Sequence, residues 1–227
     1  MDRTTKAKKT YQILIVDDHP IIRKGIRALL EQEADFEVSG EAAGRSELLS
    51  TLRLDIPDLI LLDISLQSSD GIEVTKAIRA EFGGVPILVV SMHDENLYAE
   101  RSLRAGANGY IMKQEMAENV VKAIRQVLAG KIYVSDNVRQ KVLRDLTHPN
   151  SDIHSTPIER LSDRELEVFR LIGEGKGTRQ ISEMLNLSIK TIETYRAHIK
   201  DKLAIKSASE LARCAVSWVE SGKAPNL

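Results

Sequence analysis

Four stretches of this 227-residue chain carry short apolar runs straight into reactive side chains. Gln12–Val16 (QILIV) leads to Asp17 and Asp18, and Leu59–Leu62 (LILL) leads to Asp63. Pro86–Val90 ends at Ser91, and Gly109–Met112 ends at Lys113. Apolar runs of this length suit strands buried on both faces of a parallel sheet. In open α/β sheets, ligands bind beyond the carboxyl ends of the strands. Strands sharing that edge would bring together three carboxylates, a hydroxyl and an ammonium. Carboxylates held close disfavour one another unless a cation joins them. Mg²⁺ is the natural partner, because it takes oxygen ligands and often uses one or two carboxylates with a phosphate. A metal-neutralised aspartate can attack a phosphoryl donor and become an aspartyl-phosphate. That transfer asks for positioning and charge neutralisation more than for acid–base work. Lys113 would add a second positive charge, and the Ser91 hydroxyl would hydrogen-bond a phosphoryl oxygen.

Taken singly, each residue also has a plainer use. Acidic residues ahead of a helix, such as Asp17 and Asp18, favour its N-terminal dipole. Ser91 can simply form a loop, Lys113 can be a solvated lysine, and Tyr110 can be half-buried core. The chemical reading rests on their recurrence at successive strand ends.

The elements that must position these residues follow an alternating pattern. A helix striped by Ile22, Ile26, Leu29 and Leu30 follows the first strand. Phe36 and Val38 mark a second strand, and Leu48, Leu49 and Leu52 a short helix. A polar loop, Gln67 to Gly71, separates the Asp63 strand from a helix carrying Val74, Ala77 and Ile78. A weakly patterned helix is expected from Asn96 to Ala105, and a clear one through Val120, Val121, Ile124, Val127 and Leu128. Alternation of this kind implies a doubly wound α/β domain: a five-stranded parallel sheet with helices on both faces.

A further helical stripe (Val138, Val142, Leu143, Leu146) precedes Thr147–Pro157, which is rich in Ser, Thr, Asn, Asp and Pro. That composition marks a linker. The remainder is all helix. Ser162 and Glu165 form a capping box ahead of Leu166, Phe169 and Ile172. Thr178 is expected to cap a short helix, Asn186-Leu187 to turn the chain, and Ser188 to cap a longer one lined by Ile192, Tyr195, Ile199 and Leu203. A second capping box, Ser207 to Glu210, opens a last helix striped by Leu211, Cys214, Ala215, Trp218 and Val219. The chain thus divides into an α/β domain at 11–130, a linker containing a helix at 131–158, and a helical domain at 159–222.

Charge supports two domains with different partners. Tyr11–Tyr133 carries 13 Lys and Arg against 19 Asp and Glu, whereas Glu159–Leu227 carries 12 against 10. No apolar run approaches the roughly 20 residues of a membrane span. Met1–Thr10 is polar and basic, without the apolar centre of a signal peptide, and is expected to be a disordered tail. The single cysteine, Cys214, excludes an internal disulfide, which fits a reducing cytosol.

Short helix, tight turn and capped second helix, Thr178 to Leu203, reads as a helix-turn-helix. A helical bundle with no binding role would give a similar stripe. Opposite the apolar line, however, the second helix presents Lys190, Glu193, Thr194 and Ala197, with Thr191, Arg196 and Lys200 beside them. Short and polar residues near the start of a recognition helix can approach base edges. Thr and Ala can touch a thymine methyl and Glu can accept from cytosine, while Lys and Arg serve phosphates.

Over Tyr11–Gly130 the chain resembles the receiver domain of two-component response regulators, with a flavodoxin-like strand order. The resemblance makes Asp63 the phosphoacceptor, Asp18 a direct Mg²⁺ ligand, Asp17 a water-mediated one, and the Ser65 backbone carbonyl a further ligand. It makes Ser91 the hydroxyl switch, Tyr110 the aromatic switch and Lys113 the active-site lysine. It puts Ser65 and His93 at positions that tune dephosphorylation, where His93 either orients water or lies solvated in its loop. Leu66 and Gln67 stand where the family often has Met-Pro, and Gln114 where many members have Pro. Over Leu161–Trp218 the chain resembles the LuxR-type helix-turn-helix domain, through Leu161-Ser-Asp-Arg-Glu-Leu-Glu-Val, Ile181, Leu185, Ser188, Thr191-Ile-Glu-Thr, Ile199 and Lys202-Leu203. That resemblance puts Glu193, Thr194 and Ala197 at base-facing positions and makes the last helix a pairing element, with an ordinary core helix as the alternative. The two together resemble the NarL/FixJ subfamily.

What this implies is a cytoplasmic transcription regulator. A sensor histidine kinase phosphorylates Asp63 with Mg²⁺, and the chain binds double-stranded DNA as a homodimer, without membrane attachment. Its only catalysis is its own phosphorylation and dephosphorylation. Two rivals remain. A Mg²⁺-dependent phosphatase with an aspartate nucleophile usually carries a second Asp two residues on, where this chain has Ser65. An unphosphorylated interaction module would leave the acidic set unexplained.

Overall fold

A computed structural model describes residues 9–66, 69–147 and 156–221. The expected tail (residues 1–8), Gln67 and the middle of the linker (148–155) lie outside these residues. The chain divides into two compact units, Met1–Val138 and Arg139–Leu227.

In the first unit the strands are β1 (Tyr11–Val16), β2 (Phe36–Ala42), β3 (Leu59–Asp63), β6 (Ile87–Ser91) and β7 (Gly109–Met112), in the order β2-β1-β3-β6-β7. All pairings in this sheet are parallel. Helices α1 (Pro20–Leu30), α2 (Arg45–Leu54), α3 (Gly71–Phe82), α4 (Glu95–Arg104) and α5 (Met116–Leu128) fill the crossovers. Every residue of β3 and β6 is buried, which is why both strands read as unbroken apolar runs. Each fully buried Leu or Ile contributes about 1.5–3 kcal/mol relative to exposure. Burial on that scale fixes the register at which the polar strand ends emerge. Asp63 pairs with Val90 and Ser91 with Met112, so Asp63, Ser91 and Lys113 step across one edge.

Three features depart from the sequence expectation. The stretch after Asp63 is not wholly loop: β4 (Ser65–Leu66) pairs antiparallel with β5 (Ser69–Asp70), and the Asp70 carboxylate caps α3 by accepting from Ile72 N. The start of the linker stretch, after Gly130, is tied to the sheet. Tyr133 bridges Gly109, its carbonyl accepts from Tyr110 N, and its N–H donates to Asn108 O. Ser135 then donates to Glu95 and caps α6 (Asp136–Thr147) at Val138 N. Within α6 the expected apolar stripe is incomplete, since Leu143 is exposed.

The second unit packs α7 (Asp163–Gly173), α8 (Thr178–Leu185), α9 (Ile189–Lys202) and α10 (Ala208–Ser221) around Phe169, Ile181, Ile192, Ile199, Leu211 and Ala215. Ser162 and Glu165 cap α7 reciprocally, as their spacing predicts. Asn186, at φ 52°, adopts the left-handed conformation that lets α8 turn into α9. Ser188 caps α9 by accepting from Thr191 N. Phe169 and Trp218 pack at 5.5 Å between centroids, tying α10 to α7. Val219, expected on the buried stripe, is 39% exposed. Among the described residues no helix is long and apolar enough to cross a membrane.

Candidate functional site

The sheet edge assembles the predicted acidic cluster. Carboxylate oxygens of Asp17, Asp18 and Asp63 and a nitrogen of His19 all lie within 4.8 Å of one another. Lys113 closes the cluster: its Nζ donates to Asp17 Oδ2 at 2.6 Å and to Asp63 Oδ2 at 2.9 Å. Both carboxylates are buried. Burial pushes the Asp63 carboxyl above its usual value, while Lys113 pulls it back and Asp17 adds to the rise. Burial acts to lower the Lys113 ammonium, but Asp63 and Asp17 outweigh it and hold the group above the ordinary lysine value.

The remaining oxygens are sorted by backbone donors. Asp17 Oδ1 accepts from His19 N at 2.8 Å, and Asp63 Oδ1 from Ser65 N at 3.1 Å. Arg23 donates to the Asp17 carbonyl at 2.6 Å and is itself fixed by Glu41, which draws Arg27 in as well. These two guanidiniums hold the Glu41 carboxyl below its usual value, the Arg27 hydrogen bond contributing most. Asp18 Oδ1 differs from the others: it is buried, 2.7 Å from His19 Nδ1, and accepts no hydrogen bond. A buried carboxylate oxygen met only by an exposed imidazole, among two further carboxylates, fits a hard, oxygen-seeking cation such as Mg²⁺. His19, 59% exposed, is the peripheral member and was not foreseen; its adjacency to Asp17-Asp18 was the available signal.

Ser91 and Tyr110 are also brought to this edge, and His93 joins them. Ser91 is fully buried, and its Oγ accepts from His93 N at 3.0 Å. The Tyr110 hydroxyl donates to the His93 carbonyl at 2.9 Å. Burial raises the Tyr110 hydroxyl well above its usual value, opposed by a hydrogen bond with Ser91. The His93 ring shares a 2.6 Å hydrogen bond with Ser65 Oγ and stacks on Tyr98 at 4.8 Å. His93, partly exposed in its loop, is thus held through its ring and its backbone. Gly71, whose spacing carried no signal, packs against the site: a Cβ there would lie 2.8 Å from Asp63 O.

In the second unit α9 presents the expected polar face. Lys190, Glu193, Thr194 and Ala197 are exposed, and Thr191, Arg196 and Lys200 are partly so. Thr194 Oγ1 donates back to Lys190 O at 3.0 Å. Thr178 does not cap α8. Gly177 is the cap, with Gln180 Oε1 accepting from its N–H, and the Thr178 hydroxyl reaches across to Glu193. Behind this face, Glu165 Oε2 accepts from Ser162 N at 2.7 Å and from Lys202 Nζ at 2.6 Å, clasping the start of α7 to the end of α9.

Residues 13–125 match the family described as response regulator receiver domain, and residues 159–215 that of bacterial regulatory proteins, luxR family. The chain is 34% identical to response regulator UvrY of Escherichia coli (strain K12), over 90% of this chain and 93% of that one. Its fold is similar to RcsB from Salmonella enterica serovar Typhimurium bound to promoter rprA in the presence of phosphomimetic BeF3-, at 27% identity and TM-score 0.69, covering 92% of this chain and 99% of that one. It is also similar to a structure of two RcsB dimers bound to two parallel DNAs, at 28% identity and TM-score 0.56, covering 93% and 100%. The chain belongs to the two-component response regulators of the NarL/FixJ subfamily: a receiver domain followed by a LuxR-type helix-turn-helix domain. It is a transcription regulator.

Proposed function

We propose that this regulator accepts a phosphoryl group on Asp63 from a sensor histidine kinase in the cytoplasm, and that the phosphorylated chain binds double-stranded DNA as a homodimer through α9. One observation carries the first half: Lys113 bridges Asp17 and Asp63 beside a buried Asp18 oxygen that accepts no hydrogen bond. Asp17, Asp18, Asp63 and the Ser65 carbonyl would hold Mg²⁺, which would supply charge neutralisation for the incoming phosphoryl oxygens.

The chain's own groups do the rest. An Asp63 oxygen attacks phosphorus as the bond from phosphorus to the phosphohistidine nitrogen breaks, leaving an acyl phosphate and the kinase histidine. Lys113 Nζ, already 2.9 Å from Asp63 Oδ2, stabilises the charge on the transferred group. Ser91, whose Oγ accepts from His93 N, turns to donate its hydroxyl hydrogen to a phosphoryl oxygen. That change reaches Tyr110, which shares His93 as a partner, and shifts a pre-existing equilibrium toward the dimerising state. The receiver spans residues 11–130, the connector 131–158 and the DNA-binding domain 159–222.

On DNA, Glu193, Thr194 and Ala197 face base edges, while Lys190, Thr191, Arg196 and Lys200 contact phosphates. A dimer would select paired half-sites. The RcsB structures, DNA-bound and dimeric, support this reading. The test is selection of bound duplexes from a randomised library after acetyl phosphate and Mg²⁺ treatment. Glu193→Ala with Thr194→Ala should change the selected sequence, and unchanged selectivity would remove these residues from the interface. Enrichment that is equal with and without phosphodonor would sever the link between the two halves.

A further inference from the structure

We propose that Thr178 is a positioning residue for base recognition: its hydroxyl holds the Glu193 carboxylate in the orientation that reads a cytosine. This rests on the reading of α9 given above. Thr178 is the first residue of α8 and is half-buried, whereas Glu193 lies exposed on α9, fifteen residues on. Thr at this place is expected to serve the helix end, but that work is already done. Gln180 Oε1 accepts from Gly177 N at 2.9 Å, which leaves the Thr178 hydroxyl to donate to Glu193 Oε1 at 2.9 Å.

The neighbouring hydroxyls on α9 are turned to local partners, Thr194 toward Lys190 O and Thr191 toward Ser188 Oγ. The Glu193 carboxylate is instead held from a second helix. A glutamate side chain unrestrained on a helix surface samples many rotamers, and binding must then order it. With Oε1 tied to Thr178, Oε2 is pre-oriented as an acceptor. In the major groove a carboxylate acceptor matches the cytosine N4 amino group. A hydrogen bond to one oxygen leaves the carboxylate its charge and its second oxygen, so it orients the reader without using it up. No bond to DNA is assigned to Thr178 itself.

Duplex selection with the full-length protein tests this, using the wild type and the Glu193→Ala, Thr178→Val and Thr178→Ser variants on one randomised library. The enriched duplex and single-base variants are then titrated. The wild type should require a cytosine at one position in each half-site, and Glu193→Ala should lose that requirement. Thr178→Val, close to Thr in shape, should weaken the preference there by about threefold to tenfold, the range for one lost hydrogen bond. Preferences at other positions, non-specific affinity and the salt slope should be unchanged. Thr178→Ser should restore the preference. If Thr178→Val keeps the cytosine preference while Glu193→Ala loses it, the positioning role is wrong and the interface stands. If Thr178→Val weakens binding uniformly and Ser does not rescue it, Thr178 is a packing residue only. If Glu193→Ala leaves the preference intact, both the positioning role and the assignment of Glu193 fall together.

Discussion

Replacing Lys113 with alanine strands Asp17 and Asp63, whose Oδ2 atoms lie 2.6 and 2.9 Å from its Nζ. The side chains of the two carboxylates are each 2% exposed and that of the lysine 8%, so the pair is broken in a largely buried setting. Breaking a buried ion pair by removing one partner costs about 3–5 kcal/mol. Typical domain stability is about 5–15 kcal/mol, so the loss is plain in a denaturation curve. The Asp63→Asn change removes one of the two repelling charges and spares burial of a carboxylate that already titrates high. The double variant, Lys113→Ala with Asp63→Asn, should therefore be clearly more stable than Lys113→Ala alone. Millimolar Mg²⁺ should recover part of the single variant's loss, by supplying the missing positive charge. The deficit should be flat through neutral pH. A base with a raised folded value contributes stability that is complete below its ordinary value and disappears as pH climbs through the raised one, so the deficit shrinks in alkali; it shrinks in acid too, as pH falls through the raised Asp63 value and that carboxylate is neutralised. Urea denaturation followed by circular dichroism reads this, with fluorescence of the single tryptophan, Trp218, reporting the second unit separately. Additive effects of the two substitutions in metal-free buffer would refute the electrostatic reasoning.

Other perturbations bear on different parts of the account. Burial raises the Glu165 carboxyl, but Lys202 and the Ser162 N–H and hydroxyl outweigh it and hold the group below its usual value. Its contribution is thus present above the ordinary glutamate range and lost as pH falls through the lowered value; Glu165→Gln should remove that acid-side slope from Trp218-monitored unfolding, and an unchanged slope would count against the clasp. Gly71→Ala drives a Cβ toward Asp63 O and the Ile64 backbone, so it should cost about 1–3 kcal/mol and slow phosphoryl uptake, as followed by labelling rate. Gly173→Ala should cost a similar amount, about 1–3 kcal/mol, because its Cβ meets the Ala215 carbonyl and Val219 where α7 and α10 touch. Trp218 fluorescence should show that loss in the second unit, while phosphoryl uptake by the first unit stays unchanged.

The sheet edge was legible because parallel strands buried on both faces cannot hide their ends: apolar residues run on until the chain leaves the core, and Asp17, Asp63, Ser91 and Lys113 mark those exits. Caps were legible for the same local reason, since Ser162 with Glu165 and Ser188 with Thr191 need only neighbours in sequence. What sequence could not show was contact between distant segments. His93 gathers Ser65, Ser91, Tyr98 and Tyr110 around itself, and nothing in its neighbours announces that. Tyr133 extends the sheet beyond β7 from within a stretch that reads as linker. Thr178 was given a capping role that Gly177 and Gln180 take, and its true partner lies on another helix. Leu143 and Val219 satisfy a helical stripe yet stay exposed, because periodicity gives a face without saying whether anything covers it.

The central claim is that the Asp63 carboxylate accepts a phosphoryl group. Full-length protein incubated with acetyl phosphate and Mg²⁺, followed by intact-mass and peptide mass spectrometry, tests it directly. One phosphoryl group should appear, mapped to the peptide containing Asp63, released by hydroxylamine, and absent from Asp63→Asn and from samples with chelator. Equal uptake by the Asp63→Asn protein, or uptake indifferent to Mg²⁺, would contradict the account.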